Sequence, residues 1–156
     1  MMRGTRSGSG VTNEHALRVM NSYRHWTGSL LVEDGSPQTA AERLFLAPLY
    51  ILSHGVEADP VLNFGSRLAL ELWEMDWDSF TRMPSRLTAE PMEREVREAF
   101  MQAVREKGFV SDYSGVRISG SGARFVIEQA TVWNVLDEAG KRCGQAAAFS
   151  SYRRLG

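Results

Sequence analysis

"DPVLNFGSRLALELWEMDW" spans residues 59–77. It opens as a turn at Asp59-Pro60, passes through a short apolar run, and stops at Asn63-Phe64-Gly65. From Ser66 the period is helical: Leu68 and Leu72 share one face, Ala69 and Trp73 another. A chain that changes from strand to helix this abruptly needs a bend and a cap. Gly65 is the expected bend, and the side-chain oxygen of Asn63 the expected cap. Asp76 then reads as the cap of one further turn, "WDSF", which begins at Trp77. The corner between strand and helix is where a pocket would form, with Trp73 and Trp77 beside it.

Upstream, "LYILSH" (49–54) has the length of a strand. The turn formers of "GVEADP" join it to "VLNF", which reads as a hairpin. Before it, Thr12 or Asn13 caps a first helix whose stripe is Ala16, Val19, Met20, Tyr23 and Trp26, with Gly28 as its stop. Ser36-Pro37 opens a short helix through "QTAAERLF". Downstream, Met92, Val96, Ala99, Phe100, Ala103 and Val104 form the apolar stripe of a longer helix, closed at Gly108. Then "FVSDYSGVRIS" (109–119), "RFVIEQATVWNVL" (124–136) and "CGQAAAFSSY" (143–152) read as three strands joined by the turns "GSGA" and "DEAG". The order describes an α+β domain: one five-stranded antiparallel sheet, short helices covering it, and an N-terminal amphipathic helix. Residues 1–11 are expected to be a flexible tail and 12–156 one domain.

Composition narrows the function. The chain has 156 residues, a net charge of −1, 43% hydrophobic and 24% charged residues, and a single cysteine. The charge gives no global attraction for nucleic acid or anionic lipid, and no direct nucleic-acid binding is expected. One cysteine rules out an intramolecular disulfide and fits a cytoplasmic location. No apolar run is long enough for a membrane span, and no signal peptide is visible. HExxH, CxxC, the phosphate-binding GxxxxGK and GxSxG are all absent, and no metal site is expected.

The element order, with "LSHG" (52–55), residues 59–91, "GFVSDYSGVRISGSGARFVIEQATVWNVLDEAG" (108–140) and "GQAAAFS" (144–150), resembles the PAS fold and, more closely, the PAS-like MEKHLA domain family. Such domains occur alone in bacteria and at the C-terminus of plant homeodomain–leucine zipper transcription factors. The resemblance implies a sensory or signalling module with a cavity between sheet and helices. It implies contacts with a protein partner or a second copy, many PAS-like domains pairing through an N-terminal helix. It implies no particular ligand, and the cofactor is unknown. The light-sensing flavin subtype carries a reactive cysteine on the helix after the second strand. "GSRLALELWEMDW" has none, and Cys143 lies at the start of the last strand.

The candidate ligand-binding residues are His54, Asn63, Trp73, Tyr113, Arg117, Glu128, Trp133 and Gln145. His54 ends a strand and reads either as a pocket-mouth ligand or as a turn histidine bonded to backbone. Trp73 and Trp133 either wall a cavity or simply fill the core. Arg117, Glu128 and Gln145 would need a partner if buried, either one another or a ligand. The planar fork of Arg117 suits a carboxylate or phosphate. Neither parity of the last strands is purely apolar, so both faces of the sheet should be covered, one by the central helices and the other by the first helix or a second subunit. A competing reading is a small cone-shaped α+β enzyme, an isomerase or hydrolase, with His54, Asp112, Tyr113 and Glu128 converging as acid and base groups. A third is an interaction domain with a filled interior.

Overall fold

Thr12 opens the first helix: its Oγ1 accepts from the His15 N–H at 3.0 Å, and Gly28 closes the helix at φ 77°. The computed structural model describes residues 11–89 and 91–155. The tail expected over residues 1–11 therefore lies outside the described residues, apart from Val11, which is buried. Helix α1 is Asn13–Thr27. Ser36 caps a 3-10 turn at Pro37–Thr39 that runs into α2, Ala40–Phe45. Strands β1 (Tyr50–His54) and β2 (Leu62–Gly65) form the hairpin, followed by α3 (Arg67–Trp73) and α4 (Trp77–Phe80). A 3-10 turn at Ser85–Thr88 leads to α5, Pro91–Lys107. Strands β3 (Phe109–Ile118), β4 (Arg124–Leu136), β5 (Arg142–Phe149) and β6 (Ser151–Arg154) complete the chain.

Ser66, not Asn63, caps α3. Its Oγ accepts from Ala69 N–H at 3.4 Å and from Ile51 N–H at 3.0 Å, and donates to Leu49 O at 2.9 Å. Gly65 is still paired with Leu52 in the sheet, so the cap position falls three residues after Asn63. A Cβ on Gly65 would come within 2.7 Å of the Phe80 ring; the glycine makes room for α4. The helix breaks after Trp73, where Glu74 takes φ 62°, and Asp76 restarts it by accepting from Ser79 N–H at 2.8 Å. Trp73 and Trp77 consequently serve opposite faces of the sheet.

The sheet is antiparallel, in the order β2-β1-β5-β4-β3, with β6 beside the first half of β4. The sixth strand arises because the segment read as one strand over 143–152 breaks at Ser150. Its first part pairs with β1 and the second half of β4, its second part with Phe125–Glu128.

Bulges change which side chains face which way. In β3 the pairs Val110–Val132 and Tyr113–Ala130 leave two residues opposite one, with Asp112 at φ 61°. In β4 the mismatch is reversed around Gln129, at φ 53°. An extra residue switches every later side chain to the other face. Phe125 and Ile127 before Gln129 thus share a face with Ala130 and Val132 after it, while Trp133 and Val135 point the other way. This is why neither strand shows clean alternation.

Both faces are covered from within the chain. Over Ile51, Phe64, Trp133, Val135, Ala146 and Ala148 lie α1 and α2. Trp26 Nε1 donates to Asn134 O at 2.9 Å and Trp133 Nε1 to Val19 O at 3.2 Å, which fixes α1 on the sheet. Over Leu62, Tyr113, Phe125, Ile127, Val132 and Phe149 lie α3, α4 and α5. Helix α5 is rotated from its expected register. It buries Arg97 and Val104, with Phe100 and Met101 half-buried, whereas Val96 is 62% exposed. The Met92 side chain lies outside the described residues.

Candidate ligand site

A small cavity lies between the sheet and the α3–α5 layer. Its volume is about 40 Å³, room for roughly three water-sized spheres. Leu52, Leu62, Ile127 and Val132 form apolar wall. The polar wall is His54, Ser85, Thr88, Arg97, Tyr113, Arg117 and Gln145.

Tyr113 and Arg117 point the same way from β3, with Gly115 between them. Arg117 Nη2 donates to Tyr113 Oη at 3.0 Å, Nη1 donates to Val116 O at 2.8 Å, and the guanidinium sits 5.5 Å from the Tyr113 ring centre. Tyr113 is stacked on Phe100 of α5 at 4.0 Å. Arg97 Nη2 donates to Ser85 Oγ. Burial, and then the charge of Arg117, lower the Arg97 pKa to about 10. Among the described residues no carboxylate forms an ion pair with either guanidinium.

His54 stands at the edge. Its Nδ1 lies 2.8 Å from Gly55 O, which requires that nitrogen to carry the proton and leaves Nε2 as an acceptor. Burial pushes its pKa down to about 4, with Arg97 and Arg142 adding to the shift against the bond to Gly55. Gln145 is its partner across the β1–β5 ladder and donates to Met101 O at 3.2 Å. Gln145 Oε1 and Trp73 Nε1 are buried without a hydrogen-bond partner.

Behind this wall is an outer groove of about 380 Å³, framed by residues 55–60 and the α5 residues Glu98 and Arg105. His54, Ser85, Arg97, Met101 and Gln145 line both spaces, so only side chains separate the cavity from the groove.

The sequence profile of the MEKHLA domain matches residues 13–154. The chain belongs to the MEKHLA domain family. No curated protein matches it by sequence. Three solved structures share the fold of this MEKHLA domain. The PAS domain of a Colwellia psychrerythraea protein aligns at TM-score 0.60 and 13% identity, over 74% of this chain and 92% of that one. A light-oxygen-voltage domain studied with a flavin analogue aligns at 0.55 and 11%, over 69% and 77%. An RNA-binding light-oxygen-voltage receptor aligns at 0.60 and 17%, over 76% of this chain but 32% of that receptor. The MEKHLA chain therefore has a PAS-like α+β fold. No helix among its described residues is long and apolar enough to cross a membrane.

The cysteine–flavin photochemistry of the light-sensing subtype does not fit the residues present. The cavity is too small for the ring system, α3 carries no cysteine, and Cys143 packs on the α1 side of the sheet.

The MEKHLA cavity brings together His54, Trp73, Tyr113, Arg117 and Gln145, and leaves out Asn63, Glu128 and Trp133. Asn63 is exposed where the β1–β2 register shifts, and its Oδ1 accepts from Ser53 Oγ at 2.5 Å. Ser53 Oγ in turn lies 3.1 Å from His15 Nε2 of α1. Glu128 pairs with Arg153 at 3.1 Å at the surface. Trp133 is core beneath α1, turned there by the bulge at Gln129. The acid–base set of the enzyme reading does not converge, because Asp112 is exposed and Glu128 is at the surface. Arg97 was missed by sequence reasoning. The signal was its spacing of three, four and seven from Phe100, Met101 and Val104.

Proposed function

We propose that this chain is a sensory module that takes a small molecule into the cavity and passes the event on by contact with a protein partner. A second copy of the chain is the simplest such partner, in the cytoplasm that a lone thiol suits. The observation that carries the reading is the polar wall. A core built only for packing would not leave Trp73 Nε1 and Gln145 Oε1 buried and unpaired beside a void. The adjoining groove supports it, since moving Arg97 or Met101 would open a route from solvent.

Native mass spectrometry of freshly purified protein, beside its absorption spectrum, tests the reading. The expected result is a retained small-molecule mass that disappears in Ala147→Met, which fills the cavity. An adduct indifferent to that substitution, or a clean apo mass with no ligand from a cell extract, would reject it.

A further inference from the structure

Two buried arginines border one small cavity, and among the described residues neither has an ion-pair partner. Arg97 comes from α5 and Arg117 from β3, and they are only 7% and 5% exposed. A guanidinium has five N–H donors. Arg97 places one on Ser85 Oγ, and Arg117 places two on Val116 O and Tyr113 Oη. Their charges repel across a medium of low dielectric. Buried cations held only by neutral acceptors are costly, and two of them facing one cavity favour an anion between them.

The remaining wall narrows the anion. It is largely apolar, and Gln145 Oε1 is an acceptor with no donor. A phosphate would turn its further oxygens toward that apolar surface and toward the Gln145 acceptor, with Trp73 Nε1–H the one unpaired donor outside the guanidinium groups among the described wall residues. A carboxylate confines its charge to one planar end, which matches the fork of arginine. A space of about 40 Å³ takes that head, and a very short carbon chain follows once Arg97 or Met101, which also line the outer groove, shifts.

We propose that the cavity is a receptor for a short aliphatic carboxylate, its head held between Arg97 and Arg117 and its carbons against Leu52, Leu62, Ile127 and Val132. The proposal rests on the reading of this cavity as a ligand site and adds the ligand's charge and size. Trp73 Nε1–H and Gln145 Oε1 are then the groups that distinguish one short acid from another, because each still lacks a partner.

The test uses calorimetric titration and thermal unfolding of the whole chain with sodium propionate, propionamide, inorganic phosphate and sodium chloride at matched ionic strength. Propionate is expected to bind and to raise the unfolding temperature beyond the chloride control. Arg97→Met and Arg117→Met are expected to weaken it about tenfold or more, the usual loss for one charge-assisted contact. Both variants should also unfold at a higher temperature than the wild type without ligand, because a lone buried charge has been removed. Purely structural arginines would do the opposite. Arg117→Lys keeps the charge and loses the fork; it should weaken propionate less than Met does, and it remains informative where a Met variant does not fold. Propionate acting no better than chloride, or equally well on the variants, overturns the proposal. Propionamide matching propionate, or phosphate exceeding it, also overturns it, while leaving the cavity standing as a ligand site.

Discussion

Gly115 is a residue whose role becomes visible only with its neighbours. A Cβ there would lie 2.6 Å from Tyr113 Oη and 3.1 Å from Arg117 Nη1. The glycine keeps open the space over which those side chains meet. Tyr113 cannot swing far, since Phe100 is stacked on its ring. Gly115→Ala should therefore destabilise by about 1–2 kcal/mol, the range for forcing extra volume into packed surroundings. Tyr113→Phe in the same chain should recover part of that loss, because the nearest clashing atom is gone. Chemical denaturation of the two single variants and the double variant measures the coupling. Additive losses would mean that the alanine acts elsewhere. The histidines give a second residue-scale prediction. His15 and His54 are both pushed down to about 4, chiefly by burial. Above the ordinary value near 6.5 both states are neutral, and these groups contribute no pH dependence. Between about 6.5 and 4 the unfolded chain binds protons that the folded chain refuses, so stability falls as pH falls through that window. The loss is on the order of 1–3 kcal/mol for each, reduced where water reaches the ring. Denaturant midpoints between neutral pH and pH 5 should show this slope, and His54→Gln should flatten it; an unchanged slope would remove His54 from the account.

At the scale of elements, Asn134 joins what the chain separates. Its Nδ2 donates to Val104 O at 3.0 Å and its N–H to Gly108 O at 2.8 Å, so it ties down the C-terminal end of α5. Its Oδ1 accepts from Arg142 Nε at 3.1 Å, and its carbonyl accepts from Trp26 of α1. Asn134→Leu keeps the bulk but removes the second hydrogen bond to Val104 O, which keeps the Gly108 N–H at 2.8 Å, and the acceptor of Arg142 Nε; the cost should be about 1 kcal/mol. Hydrogen exchange in the last turn of α5 should speed up more than exchange in β1. A uniform change along the chain would mean that the residue only fills space. Elements of this kind also show how far the sequence could be read. Caps and turns were legible at Thr12, Ser36-Pro37 and Asp76, because each acts within three residues of itself. The hairpin and the last three strands followed from turn chemistry. Strand faces were not legible, because the bulges at Asp112 and Gln129 carry no glycine to announce them. That parity switch decides between the two readings of Trp133, which is core beneath α1, whereas Tyr113 and Arg117 lie past the Asp112 bulge and still share one face. Arg97 stayed hidden because a charged residue on a mixed helix reads as solvated until a partner surface shows that it is buried.

For the whole molecule, the question is whether the fold is complete in one chain. PAS-like architecture left open whether a second subunit covers the far side of the sheet. Here α1 does so from within, with two tryptophan N–H bonds and the T-shaped contact of Tyr23 on Trp133 at 4.9 Å. The second layer, α3 to α5, closes over the cavity in the same chain. Both layers are supplied by the chain's own residues, so self-association is expected to be an added event and not a condition of folding. The unfolding temperature should then stay constant over about a hundredfold range of protein concentration, since an obligate dimer gains stability by mass action. Sedimentation over the same range would show whether copies meet at all. A midpoint that climbs with concentration would mean that the fold needs its partner, and a signal carried by association would lose its off state. A constant midpoint with ligand-dependent association gives α5 the central place. It holds Arg97 in the cavity near its middle, and through Asn134 and Trp26 its C-terminal end meets α1. Occupancy would then reach the outer helix through a short run of hydrogen bonds, and Trp26→Phe, which removes one of them, should uncouple ligand from association while leaving ligand affinity unchanged.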